Sequence, residues 1–237
     1  MRPMGFSTGA IAKGDFRRAL QRLAPFRLPA VELSALRIHE LPQLAEAAGD
    51  LDLTAYRYIS VHAPSHFVEA DEGRVASLLA EFADRGWSIV LHPDVISADA
   101  VWHKFGDKLL IENSDKRKSV GRTAAELESL FVRFPEARFC FDVGHARQVD
   151  PTMNEAYLIL QQFRSRLSQV HISEVNFFSR HDPLSAAAIE ATRRVAHLLP
   201  ESVPIILETL IDQGQSTIDA EVHRAVEALT PAVRMAV

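Results

Sequence analysis

A lone cysteine, Cys140, rules out any internal disulfide, so the chain must be held together by its core rather than by covalent staples. Placed within RFCFDV, it reads as a small apolar filler of a buried strand; a catalytic thiol is the minor alternative, because no activating neighbour is visible in the sequence. No apolar run approaches the roughly 20 residues that span a bilayer, which excludes a membrane-spanning helix. The start, MRPMGFSTGAIAKG, breaks into Gly, Ser, Thr and Lys before a signal-peptide core develops, so a cytoplasmic location is expected. An excess of basic residues is also missing: 26 Lys and Arg face 31 Asp and Glu, a net charge of -5. Such a molecule repels polyanions, so nucleic acid is a disfavoured partner and a small-molecule substrate the expected one. Linkers and low-complexity tracts are absent too, and residues 1–237 read as one domain, with a homo-oligomer left open.

What is present is alternation. Eight short runs rich in Val, Ile, Leu and Phe occur at 4–8, 29–34, 58–63, 88–93, 109–114, 138–143, 168–173 and 204–209. Most are continuously apolar, as expected of strands covered on both faces. Between them lie amphipathic stretches such as ELESLFVRF and AYLILQQFRSRL, with apolar residues at helical spacing. Thr123 with Glu126, and Thr152 with Glu155, match the capping box, and Pro151 suits a first helical turn. Eight strand-helix units of about 30 residues each predict a single (β/α)8 TIM barrel.

The chemistry sits at the ends of the runs. Glu32, His62, His92, Glu112, Asp142, His171 and Glu208 each fall near the C-terminal end of a strand, with separations of 30, 30, 20, 30, 29 and 37 residues. In a parallel barrel that level is the rim on which active sites are built. A charged group closing an apolar strand costs free energy unless it is paired or bound to a metal, and one divalent cation would compensate several at once. Glu112, Asp142, His171 and Glu208 offer three carboxylates and an imidazole, a set suited to Mn, Mg, Zn or Fe(II), and no organic cofactor is expected. The bland alternative, isolated strand-end groups bonded to neighbouring loops, is reasonable for any one of them and poor for all four together.

Other candidates surround this set. His62 and His92 either extend the site to a second metal sharing Glu112 or bind substrate oxygens around a single metal. His145 can reach the same bowl from the segment after the sixth strand, and Glu32 can orient a ligand histidine from behind. His181 and Asp182 lie in a later loop, where gating, ligation or a solvated turn are all open. The segment SDKRKSVGR holds Lys116, Arg117, Lys118 and Arg122 against Asp115; it is a solvated face or, with Arg147 and Arg180, an anion clamp for a substrate phosphate or carboxylate.

HAP at 62–64, IENS at 111–114, FDVGHA at 141–146, VHIS at 170–173 and LET at 207–209, in this order and spacing over almost the whole chain, resemble the xylose isomerase-like TIM-barrel superfamily. That superfamily includes sugar and sugar-phosphate isomerases and epimerases and the endonuclease IV branch. The epimerase resemblance implies one metal on Glu112, Asp142, His171 and Glu208, proton transfer by Glu112 and Glu208 through an enediolate, and substrate contact by His145. The endonuclease IV resemblance implies a further zinc on His62, His92 and Glu112. A third zinc there takes the histidine after the sixth-strand Asp, which matches His145, with an Asp and a His separated by one residue, whereas His181 and Asp182 here are adjacent and reversed. The arginine and Pro-Gly segment of epimerases is replaced by NFFSRHDPLS, so substrate identity does not carry over. Three functions follow as expectations: a metal-dependent isomerase or epimerase of a polyhydroxylated, optionally phosphorylated compound; a di- or trinuclear phosphoesterase; or a barrel that binds a ligand without turnover.

Overall fold

Segments dense in Val, Ile, Leu and Phe favour extended backbone on a surface buried from both sides. In the computed structural model, which describes residues 2–211 and 217–230, the chain runs β1 (Met4–Ser7), α1 (Thr8–Ala12), α2 (Phe16–Leu23), β2 (Ala30–Ser34), α3 (Leu41–Ala47), β3 (Tyr58–His62), α4 (Glu69–Ala83), β4 (Ser88–Leu91), α5 (Asp99–His103), β5 (Leu109–Glu112) and α6 (Ala124–Arg133). It continues through β6 (Arg138–Asp142), α7 (Val143–Val149), α8 (Asn154–Phe163), β7 (Leu167–Ile172), a hairpin of β8 (Glu174–Val175) and β9 (His181–Asp182), α9 (Ala186–Ala196), β10 (Ile205–Leu207) and α10 (Ile218–Leu229). The eight parallel strands close in the order β1-β10-β7-β6-β5-β4-β3-β2, a (β/α)8 barrel. All eight predicted runs become these strands. Most stop one or two residues early, where the backbone turns into a loop or directly into a helix, leaving His92 and Glu208 just beyond β4 and β10.

Strand alternation then decides which side chains enter the barrel. Successive residues point to opposite faces. Leu91, Ile111, Phe139, Phe141 and Ile205 belong to the large core between strands and helices, whereas Val90, Leu110 and Cys140 form a separate buried cluster. Two residues further along each of these latter strands come His92, Glu112 and Asp142, so period two carries the same inward face from apolar filler to polar rim. Gln169 leads to His171 and Ser60 to His62 in the same way.

The helix starts follow the capping expectation at one place and depart from it at another. Thr123 Oγ1 accepts from the Glu126 amide at 3.2 Å, although the Glu126 carboxylate returns to the Arg122 amide rather than to Thr123. Thr152 reaches only the Asn154 amide, at 3.3 Å, and does not form the predicted capping box with Glu155. Asp150 accepts from the amides of Thr152 and Glu155, Met153 takes φ 65°, Pro151 stays in the turn, and the Glu155 carboxylate crosses to the Ala124 amide at 2.6 Å. A short Asp that can bond its own following turn outcompetes the threonine. Among the described residues no helix is long and apolar enough to cross a membrane.

Candidate metal centre at the barrel mouth

Glu112 stands at the middle of the rim, fully buried, with its two oxygens turned to different neighbours. Oε1 lies 3.1 Å from His171 Nδ1 and 3.5 Å from His145 Nδ1, while Oε2 lies 3.1 Å from His62 Nε2 and 3.6 Å from His92 Nε2. His171 Nδ1 is also 3.5 Å from Glu208 Oε2, which in turn is 3.5 Å from His181 Nδ1. Five imidazoles thus form an arc, His171, His62, His92, His145 and His181, with neighbouring ring centroids 5.1 to 5.9 Å apart. Every rim candidate from the last six barrel strands has been brought to one bowl.

A second layer of side chains holds this arc. Glu32, wholly buried, accepts on Oε2 from Ser60 Oγ at 3.0 Å and Gln169 Nε2 at 2.6 Å, and lies 3.2 Å from His171 Nε2. With Nδ1 turned to the bowl and Nε2 to a carboxylate, His171 has the arrangement that fixes a ligating ring. Tyr58 donates to Gln169 Oε1 at 2.7 Å, which sets the orientation of that amide. Burial pushes the Cys140 thiol up, so it stays neutral beside Gln169 as a filler.

Asp142 is held by Asn113, a residue the sequence did not mark as functional on its own. Asn113 donates to the Asp142 carbonyl at 2.8 Å, accepts from its amide at 2.7 Å, and offers its own carbonyl to His145 Nδ1 at 2.9 Å. Asp142 Oδ1 accepts from the His145 amide as the N-cap of α7. Gly144 makes this close start possible, because a Cβ there would sit 2.7 Å from the Ser173 carbonyl. Asn113→Ala leaves both backbone groups of Asp142 without partners in a dry site. The expected loss is about 2 to 6 kcal/mol of unfolding free energy, read from urea denaturation, at about 1 to 3 kcal/mol per stranded group.

Electrostatics differentiate the groups. Burial works against a charged His62, but the hydrogen bond and charge of Glu112, with Glu32 and Glu208, hold its pKa up at about 9. Burial pulls His92 down to about 3 and His181 to about 4, leaving neutral rings with a free lone pair. Burial would raise Glu112, yet His92, His171 and His62 crowd it and keep it well below the usual carboxylate range. Glu208 moves the other way, raised by burial and by the charges of Glu112 and Asp142.

The donors fit a divalent cation. Asp142 Oδ2 and His92 Nδ1 are buried without a hydrogen-bond partner, an expensive state that a cation in the bowl would relieve at the carboxylate. One donor atom from each of Glu112, Asp142, His171 and Glu208 lies within 4.8 Å of the others, and the same holds for His62, His92 and Glu112. Three carboxylates and an imidazole make a hard, oxygen-rich set; two imidazoles and a carboxylate make a second that shares Glu112.

No known sequence family matches the chain, and neither does any curated protein. Solved structures do. Endonuclease IV from Thermus thermophilus superposes with a TM-score of 0.60 at 20% identity, covering 95% of this chain and 97% of that one. D-psicose 3-epimerase from Clostridium cellulolyticum, solved with D-tagatose, gives 0.57 at 10% identity with 97% of both chains covered. The fold is the (β/α)8 barrel that these structures share. A 3-keto-D-glucoside 4-epimerase from E. coli gives 0.57 at 15% identity, covering 96% of this chain and 99% of that one. At these identities the likeness is one of fold.

Around the mouth of the barrel the basic segment does not converge into a clamp. Arg117 pairs with Asp115 at 3.2 Å, Lys118 with Asp94 at 2.7 Å and Arg122 with Glu126 at 2.7 Å. Arg147 is taken by Glu174 at 2.9 Å, and Lys116 Nζ lies 3.9 Å from the centroid of the exposed Phe177 ring. A local carboxylate or ring satisfies each cation before a shared anion could. Arg180 lines a cavity, and its companions there are Lys13, Arg18 and Arg22, which the sequence hides among ordinary helix charges. Asp182 turns from the bowl to accept from Asn176 at 2.8 Å, whereas His181 faces it.

Proposed function

We propose that the barrel is a divalent-metal-dependent isomerase or epimerase of a small polyhydroxylated substrate. The observation that carries this reading is that His171 Nδ1 lies within 3.5 Å of both Glu112 and Glu208, so two carboxylates from strands three apart in the barrel flank one point. Glu112, Asp142, His171 and Glu208 would hold the ion. Bound there, a divalent ion supplies Lewis-acid polarisation of adjacent carbonyl and hydroxyl oxygens and so acidifies the carbon between them. Glu208, whose side chain remains slightly open to the mouth, takes the proton from that carbon. For inversion at that carbon Glu112 delivers a different proton, taken up from solvent, to the other face while Glu208 gives its own back to solvent, and two positioned carboxylates contribute rate as acid and base. His145 and His62 orient substrate hydroxyls, and the buried floor excludes bulk water. The epimerases among the structural neighbours support the substrate class.

A second reading has its own support. His62, His92 and Glu112 form a three-donor set beside the four-donor one, the two sharing a carboxylate, and paired ion sites of this kind serve phosphoester hydrolysis. Metal counting separates the two. With Mn or Mg, one ion per chain and exchange of a substrate α-proton with solvent deuterium, followed by NMR over a panel of ketoses and ketose phosphates, is the expected result for the isomerase. Two or more ions per chain, no exchange, and release of phosphate from esters would replace it with the hydrolase.

A further inference from the structure

Beside the bowl lies a second concavity of about 310 Å³, formed where α1 ends, α2 passes and β9 meets the end of the last barrel strand. Its size matches the lower end of small-ligand sites, roughly 300 to 1,000 Å³. Lys13, Arg18, Arg22 and Arg180 line it, with Asp182 as the acidic neighbour. Four cations against one carboxylate leave three positive charges over. Asp182 is engaged with Asn176, and among the described residues none of the four cations is ion-paired to any carboxylate. This contrasts with the loop after β5, where three of the four basic side chains have found a carboxylate.

One of the cations, Arg22, is also held in place. Arg22 Nη1 donates to the Ile11 carbonyl, which anchors the guanidinium and leaves its other N–H groups free. Lys13 itself, and Ser179 immediately before Arg180, adopt φ values of 54° and 53°, a region costly for residues other than glycine. His181 closes the cavity on one side, and its Nδ1 is 3.5 Å from Glu208 Oε2, so the cavity and the bowl share a wall one imidazole thick.

We infer that this cavity holds the phosphate group of a phosphorylated substrate, whose carbon chain runs past His181 onto Glu208 and Glu112. A dianion suits the surplus of charge, and guanidinium forks match its oxygens. The inference rests on the isomerase reading only for what lies in the bowl. The cavity's own property, phosphate binding, stands apart from it.

The test uses inorganic phosphate first. Calorimetric titration of the metal-loaded protein at low ionic strength is expected to show one phosphate per chain, weakened roughly 10- to 100-fold by the double variant Arg18→Ala/Arg180→Ala and unaltered by Glu112→Gln. No binding to the wild type, or binding lost in Glu112→Gln but kept in the arginine variant, overturns the inference, since phosphate would then belong to the metal. Lys13→Ala, on an exposed side chain, gives a second, milder variant expected to weaken phosphate in the same sense. The kinetic arm compares ketose phosphates with the free ketoses. The arginine variant should raise KM for the phosphorylated substrate by a similar factor and leave the free ketose unaffected; equal effects on both overturn the inference. Phosphate binding without α-proton exchange would retire the isomerase reading and leave the phosphate site standing.

Discussion

Glu112→Gln is expected to empty both donor sets at once. The substitution keeps the side-chain volume, yet it removes the charge from the residue whose Oε1 faces His171 and His145 and whose Oε2 faces His62 and His92. Elemental analysis after dialysis should show metal content falling to near zero, with affinity reduced by more than the roughly 10- to 100-fold typical of a supporting residue. Turnover of any substrate should fall about 10²- to 10⁴-fold, the share owed to a positioned proton-transfer group. Asp142→Asn provides the contrast, because Asp142 belongs to only one of the two sets. It should drain the four-donor set and leave any ion on His62 and His92 in place. Equal metal content in wild type and Glu112→Gln would sink the idea of a shared ligand.

Glu32 should produce the second largest effect without touching substrate. Glu32→Gln preserves shape but offers an amide where His171 Nε2 and Gln169 Nε2 meet a carboxylate. The His171 ring then loses its orienting acceptor, and metal affinity should drop about 10- to 100-fold by competition titration against a chelating dye. Glu32→Ala goes further. It strands the side chains of Ser60, Gln169 and His171 in the barrel interior, and removing one member of such a buried set costs about 3 to 5 kcal/mol. Thermal unfolding should therefore separate the two variants, with Glu32→Ala lowering the midpoint well below that of Glu32→Gln. Matching midpoints, or unchanged metal affinity in Glu32→Gln, would show that Glu32 is merely a tolerated interior acid.

The barrel and its rim were readable from the chain because two regularities coincide. Buried parallel strands are continuous in apolar residues, and the polar residue that ends each one recurs at nearly constant spacing, so Glu112, Asp142 and His171 announce both the element and its end. Asn113 was visible only as a letter within IENS; its importance comes from pairing across to β6, which no local pattern encodes. Ser60, Gln169 and Tyr58 were hidden for the same reason, each a single polar residue whose partner lies on another strand. The basic loop left two readings open because charge density in sequence says nothing about the carboxylates that fold against it. The converse error hid Lys13, Arg18 and Arg22, which look like a solvated helix face until α1, α2 and β9 are brought together. Thr152 lost the Glu155 amide because Asp150, two residues earlier, bonds it instead.

The alternation that turns Glu112 inward and Ile111 outward makes the strands intolerant of any change in length. Losing one residue within β5 would exchange the two, burying a carboxylate among the phenylalanines of the outer core and leaving isoleucine at the mouth. The same loss in α4 or in the loop that precedes it would move no rim atom. Insertions and deletions accumulated over evolution should therefore fall almost wholly outside the strands. Lineages descended from this barrel would differ in the reach of their loops long before they differ in the chemistry of their rim.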